Sequence, residues 1–170
     1  MSIDQAAFCQ MTYGLYIVSA LYDGKPNALI INSALQTTAE PPSFSITVNK
    51  KSLTCDFIKA SRKFCLQPLS QKSDMLFIGN FGFRTGRNFN KFEKYTYKFT
   101  DEGLPFVTQN TLSYITVNVE KEEDLGTHIM FIGKVSQSKI LTQGNPLTYD
   151  YYHQVLKGKT HKDAPTYQGN

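Results

Sequence analysis

Phe44-Ser45-Ile46-Thr47-Val48-Asn49 switches between apolar and polar at every residue, the period of a half-buried strand. Ser113 to Glu120 does the same, with Ile115, Val117 and Val119 against Tyr114, Thr116, Asn118 and Glu120. His128 to Val135 is apolar on both faces and reads as a central strand. Leu15 to Ala20 and Ala28 to Ser33 predict two further strands, joined through a hairpin turn at Asp23-Gly24. Lys63 to Leu69 and Tyr95 to Phe99 are shorter strand candidates, the second ahead of a Gly103-Leu104-Pro105 turn. Leu53, Phe57 and Ala60 fall on one helical face, with Ser52 or Thr54 as cap and Asp56 in the first turn. Short helices are also predicted over Asp4 to Tyr13, capped by Ser2 or Asp4, and over Tyr149 to Leu156. Gln71 to Lys91 reads as irregular. Gly79, Gly82 and Gly86 punctuate it, while Phe77, Phe81, Phe83 and Phe89 anchor it, so the expected loop packs over something.

Strands therefore dominate, at a spacing of roughly ten residues, with short helices between them. That pattern indicates a mainly β, antiparallel barrel with added helices, since a doubly wound parallel sheet needs longer helices between its strands. The chain divides into one domain, residues 1–156, and an extended, basic and polar tail, residues 157–170.

Composition narrows the function. The 170 residues are 41% hydrophobic and 19% charged, the balance of a folded chain. A net charge of +4 suits an anionic small ligand or an acidic protein partner, and it is too diffuse for a nucleic-acid stripe. The N-terminal segment lacks the charged start and apolar run of a signal peptide, and no apolar run approaches the roughly 20 residues of a membrane span. A cytoplasmic protein is expected. Cys9, Cys55 and Cys65 are odd in number and form no Cys-x-x-Cys. This argues against a disulfide framework, a zinc knuckle or a thioredoxin-like centre, and for buried thiols in a reducing compartment.

Candidate chemistry concentrates between Asn27 and Thr54. An apolar strand ends in a hydroxyl- and amide-rich segment (Asn32, Ser33, Gln36, Thr37, Thr38), and a second strand runs into a basic corner, Asn49-Lys50-Lys51-Ser52, that opens a helix. Two polar strand ends beside a helix N-terminus make a cradle for a phosphate-bearing planar ligand. No protein catalytic constellation accompanies it, so a cofactor is expected to carry any chemistry. His153 and His161 are too isolated to suggest a metal site.

Four blocks carry a resemblance: NSALQTTAEPPSFSITVNKKSLT, FIGNFGFRTGRNFNKFE, GTHIMFIGKV and YDYYHQVLKGKTHKDAPTY. In this order, over nearly the whole chain, they resemble the flavin reductase-like, FMN-binding split-barrel family. Within it they are most similar to flavoredoxin-type proteins and the flavin domain of high-molecular-weight rubredoxins. The resemblance implies a six-stranded antiparallel split barrel of Greek-key type, a homodimer, and FMN at the barrel mouth. FMN is preferred over FAD because the short basic corner suits one terminal phosphate. It further implies hydride transfer from NADH or NADPH to the flavin, with onward delivery to free flavin, a rubredoxin-like protein or a flavodiiron partner. Two departures stand out. No Cys-x-x-Cys pairs follow the tail, so an iron carrier would be a separate protein, and Thr127 stands where many family members have Asp.

By resemblance, Asn32, Ser33 and Ala34 lie along the isoalloxazine ring, where small residues let backbone groups approach. From the residues alone, polar capping of a strand end explains them equally well. Gln36 and Thr38 match positions near the ribityl chain, with a solvated turn as the plain alternative. Asn49, Lys50, Ser52 and Thr54 match the phosphate end, against a helix cap with surface lysines. Phe81, Gly82, Arg87 and Lys91 belong to a loop that folds over the flavin, with Arg87 or Lys91 near the phosphate. His128 matches the residue that positions the nicotinamide, and a histidine there serves orientation rather than proton abstraction. Tyr149, Tyr151, Tyr152 and Tyr167 weight the C-terminal region, which would pack across a dimer or near the flavin. A flavin electron-transfer module without activity towards NADH is the alternative function. A pyridoxamine-phosphate-oxidase-like barrel is a weaker one, since its arginine-rich phosphate site is absent from the sequence.

Overall fold

Strands β1 (Tyr16–Tyr22) and β2 (Lys25–Ile31) pair antiparallel up to Tyr22 and Lys25. Asp23 and Gly24 turn between them with φ of 50° and 68°, the left-handed pair of a tight hairpin. A computed structural model describes residues 3–167. The expectations for Ser2, for the side chain of Cys9 and for residues 168–170 lie outside the described residues. Asp4 caps a single 3₁₀ stretch, Gln5–Gln10, shorter than the helix the sequence suggests.

The remaining strands are β3 (Ala34–Ala39), β4 (Pro42–Asn49), β5 (Lys63–Pro68), β6 (Tyr97–Phe99), β7 (Pro105–Val107), β8 (Ser113–Asp124) and β9 (His128–Ile140). Seven of them form one antiparallel sheet in the order β2-β1-β5-β8-β9-β4-β3, while β6 and β7 pair separately. The fold is mainly β with short helices, as the pattern indicates. The large sheet, however, has seven strands rather than six and is not closed, with β2 and β3 at its edges. The extra strand is the hydroxyl-rich segment. Ala34 pairs with Ile46 and Leu35 with Ser45, yet the side chains from Leu35 to Ala39 are exposed, so no buried face marks the strand in the sequence.

Helix α1 (Leu53–Ser61) is capped by Ser52, whose hydroxyl accepts from Cys55 N at 3.1 Å. Helix α2 (Met75–Gly82) corrects the expectation of an irregular Gln71–Lys91. Two glycines suppress its helical signal, but Asp74 caps it and Phe77 and Phe81 lock it into an aromatic cluster with Phe92 and Tyr95. Helix α3 (Tyr149–Gln154) is capped by Thr148.

Two cores flank the edge strand. One joins the large sheet to α1 with Val18, Ile46, Ile58, Phe64, Val117 and Phe131, and the other lies under α2 and α3 with Leu15, Ile17, Phe77, Phe81 and Leu147. Alternation in β2 sends Ile31 into the first and Ala28 into the second. The outer side of β2 has no strand partner and is left available to something else.

Candidate functional site

A cavity of about 330 Å³ runs along that unpaired edge, from Asn27 to Asn32. Consecutive residues of β2, Leu29 to Ile31, line it, as expected where a strand offers its free edge rather than one face. The first turn of α1 (Ser52, Leu53, Thr54) and the ends of β4 and β9 (Thr47, Asn49, His128) form one wall. The loop after α2, from Gly82 to Gly86, forms another, and the tail segment 159–165 crosses the mouth as a strap.

Asn32 is 6% exposed. Its Nδ2 donates to Thr166 Oγ1 at 2.6 Å, while its Oδ1 is buried with no partner. An orphaned acceptor of this kind is costly unless a ligand N–H meets it. Thr54 and Asn27 are both buried, and the Thr54 hydroxyl donates to Asn27 Oδ1 at 2.8 Å. Gly86 is needed against Asn27, because a Cβ there would sit 2.1 Å from its Nδ2. Lys91 is 4% exposed, and its Nζ donates to Phe81 O at 2.9 Å. Among the described residues it has no carboxylate partner. Burial pushes its ammonium down to about 8.

His128 is held at both ring nitrogens. Nδ1 lies 2.8 Å from Thr127 Oγ1 and Nε2 lies 3.1 Å from the backbone oxygen of Asp163. A carbonyl only accepts, so Nε2 carries the proton and, in the neutral ring, Nδ1 accepts from Thr127. The same Asp163 carbonyl accepts from Asn49 Nδ2 at 3.1 Å. The Tyr149 hydroxyl bonds Thr160 and Thr166, so the strap is fastened on both sides of Asp163. Asp124 holds the turn before His128: its Oδ1 accepts from Gly126 N at 2.8 Å, and Lys50 at its other oxygen helps keep the carboxyl below its usual range. Thr127 thus orients the imidazole and leaves the turn to Asp124.

Seven residues expected at the site line this one cavity: Asn32, Asn49, Ser52, Thr54, Gly82, Lys91 and His128. The others lie off it. Ser33 donates to Thr47 O, Ala34 sits in β3, and Gln36 and Thr38 bond within the exposed β3–β4 hairpin. Lys50 pairs with Asp124. The Phe81 ring is fully buried in the core, and only its carbonyl reaches Lys91. Arg87 pairs with Asp56 at 2.6 Å and donates to Lys51 O, tying the loop to the start of α1. The C-terminal region, expected across a dimer or near the flavin, contributes Tyr149, Tyr152 and the strap to this lining, whereas Asn27, Arg84 and Thr85 are additions to the expected set. An amide inside an apolar strand is the signal for Asn27.

The flavin reductase like domain family matches residues 8–156. The chain belongs to this family. It is 40% identical over 165 residues to the high molecular weight rubredoxin of Moorella thermoacetica, covering 97% of this chain and 72% of that one. It is 38% identical over 165 residues to the ferric-chelate reductase (NAD(P)H) of Archaeoglobus fulgidus, covering 97% and 98%. The nitrilotriacetate monooxygenase component B homologue of Mycobacterium thermoresistibile superposes with a TM-score of 0.74 at 25% identity, over 85% of this chain and 79% of that one. As a flavin reductase-like protein the chain is an oxidoreductase by family. No helix among its described residues is long and apolar enough to cross a membrane.

Proposed function

We propose that this chain binds FMN along the free edge of β2 and works as an NAD(P)H-dependent reductase that passes electrons to a separate acceptor. The orphaned Oδ1 of Asn32 carries the reading. It is a buried, unpartnered acceptor on a residue that lines a cavity of ligand size, and the ring edge of a flavin offers the N–H it lacks. Ser52, Thr54 and the first amides of α1 would hold the phosphate, with Lys51 and Arg84 adding charge. One helix terminus suits one terminal phosphate, which favours FMN over FAD. A bound flavin supplies the hydride acceptor and the store of two electrons. The protein binds and orients: Thr127 and the Asp163 carbonyl fix the His128 ring in the wall of the cavity, and the strap limits water.

The ferric-chelate reductase relative, by its name, uses NAD(P)H, which supports a nicotinamide donor here. The likeness to a high molecular weight rubredoxin supports a redox protein partner. We further propose a homodimer, built on the uncharged and exposed edge strand β3, and a cytoplasmic location, which accords with free, buried Cys55 and Cys65. The strap carbonyl already occupies His128 Nε2, which favours the second reading, an electron carrier that NADH does not reduce.

Fluorescence titration tests the site first. FMN emission is expected to be quenched, and Asn32→Leu is expected to weaken binding roughly tenfold, about 1.4 kcal/mol. An unchanged affinity overturns the Asn32 assignment. Anaerobic mixing of the FMN-loaded protein with NADH separates the readings: fast bleaching supports the reductase, and bleaching only by a protein donor supports the carrier.

A further inference from the structure

A row of hydrogen bonds runs from Asn32 in the cavity wall through the strap to α3. Asn32 Nδ2 lies 2.6 Å from Thr166 Oγ1, which lies 3.1 Å from the Tyr149 hydroxyl. That hydroxyl lies 2.5 Å from Thr160 Oγ1, which in turn lies 3.4 Å from His153 Nε2. The far end is anchored by backbone. His153 Nδ1 lies 2.9 Å from Gly158 O, and Gly158 packs so closely on the Tyr152 ring that a Cβ there would sit 2.1 Å from it. A carbonyl only accepts, so Nδ1 carries the proton and, in the neutral ring, Nε2 accepts. Each hydroxyl has one hydrogen to give. Thr160 therefore donates to His153, Tyr149 donates to Thr160, and Thr166 donates to Tyr149. Thr166 is left with lone pairs alone for Asn32, whose NH2 must face it. The Oδ1 of Asn32 is turned away from the strap, and it is this atom that is buried without a partner.

From this directed chain we infer that Tyr149 is a positioning residue for the flavin site: through Thr166 it fixes the amide of Asn32 with its oxygen, not its nitrogen, offered to the ligand. The inference rests on the flavin reading of Asn32 and adds what sets the polarity of that contact. The two ends of an amide are nearly alike in shape, so hydrogen bonding rather than packing decides between its orientations. If Thr166 kept its hydrogen for Asn32, the amide would turn. Its Oδ1 would then be satisfied by the strap, and its NH2 would be presented to the ligand. Oxidised flavin has one ring N–H, at N3, which an acceptor bonds and a second donor repels. By drawing the hydrogen of Thr166 to itself, Tyr149 holds Asn32 in the orientation that costs the free protein a partner and suits the ligand. The strap thus sets the chemistry of the cavity wall as well as covering its mouth.

Fluorescence titration with two probes, FMN and 3-methyl-FMN, which lacks the N3–H, tests the polarity directly. The native chain is expected to bind FMN roughly tenfold more tightly than the methylated probe. Tyr149→Phe keeps the ring and removes the hydroxyl. It is expected to weaken FMN binding about fivefold and to leave 3-methyl-FMN almost unchanged, so that the preference falls to about twofold. Thr160→Val, one step further along the chain, is expected to lower the preference in the same way, and Thr160→Ser to keep it. A double-mutant cycle separates action through Asn32 from direct contact, since Tyr149 and Thr160 also line the cavity. In the Asn32→Leu background, Tyr149→Phe is expected to change FMN affinity by less than about twofold. An equal loss for both probes in Tyr149→Phe overturns the inference, as does no loss for either, or a full additional loss in the Asn32→Leu background. Equal binding of both probes by the native chain overturns the flavin reading of Asn32 itself, and the inference with it, and is seen before any variant is made.

Discussion

Lys91 is the residue whose cost is clearest. Its ammonium is buried, donates one bond to Phe81 O, and faces the cavity without a counter-charge. Its value of about 8 in the folded chain lies below the ordinary 10.5. Between those two values the unfolded chain binds more protons, so this group adds stability as pH rises from about 8 towards 10 and withholds it below 8. Urea unfolding at pH 7.5 and 9.5 is expected to show that gain, about 1–2 kcal/mol, in the ligand-free protein and to lose it in Lys91→Met. The same variant is expected to bind FMN more weakly, since Lys91 lines the proposed chamber and carries a charge that no carboxylate among the described residues answers. A destabilising cation kept at the wall of a cavity is what a ligand-binding role would require, whereas a purely structural lysine would be expected at the surface.

At the scale of elements, legibility followed periodicity. β4 alternates and its buried Ile46 and Val48 are found as read, and α1 begins at its expected cap, whereas in β8 the face read as polar is covered too, with Thr116 buried and Tyr114 packed on Phe106. β3 and α2 were missed for opposite reasons. β3 buries nothing, so its pattern is silent, whereas α2 is helical because Phe77, Ile78 and Phe81 have a core to enter, a fact no local window holds. The long hairpin of β8 and β9 depends on a close approach that only glycine permits: a Cβ on Gly133 would lie 2.1 Å from the Asn118 carbonyl oxygen. Gly133→Ala is expected to cost about 3 kcal/mol and to lower Tm by roughly 5–10 °C in a thermal melt. His128 opens β9, so loss of FMN affinity is expected to accompany the loss of stability.

The whole molecule shows why half of the expected site residues converge and half do not. The cavity gathers residues at the ends of β2, β4 and β9 and the start of α1, and strand ends flanked by polar residues are visible in a sequence. Which side of an edge strand stays open is set by sheet order, so Gln36 and Thr38, placed by proximity in sequence, turn outward on β3 instead. That open edge also bears on assembly. Sedimentation at micromolar concentration is expected to show a dimer, and Leu35→Lys, which puts a charge on the exposed face of β3, is expected to shift it towards monomer. The strap has a consequence in time. Its bonds join Asp163 to Asn49, 114 positions earlier, and Thr166 to Asn32, 134 positions earlier. During synthesis the sheet can therefore fold while its chamber still lacks a wall, and that wall arrives only after residue 166 has left the ribosome. On the proposed site, filling the chamber and sealing it become two successive acts, and a nascent chain short of the strap is a vessel with its mouth still open.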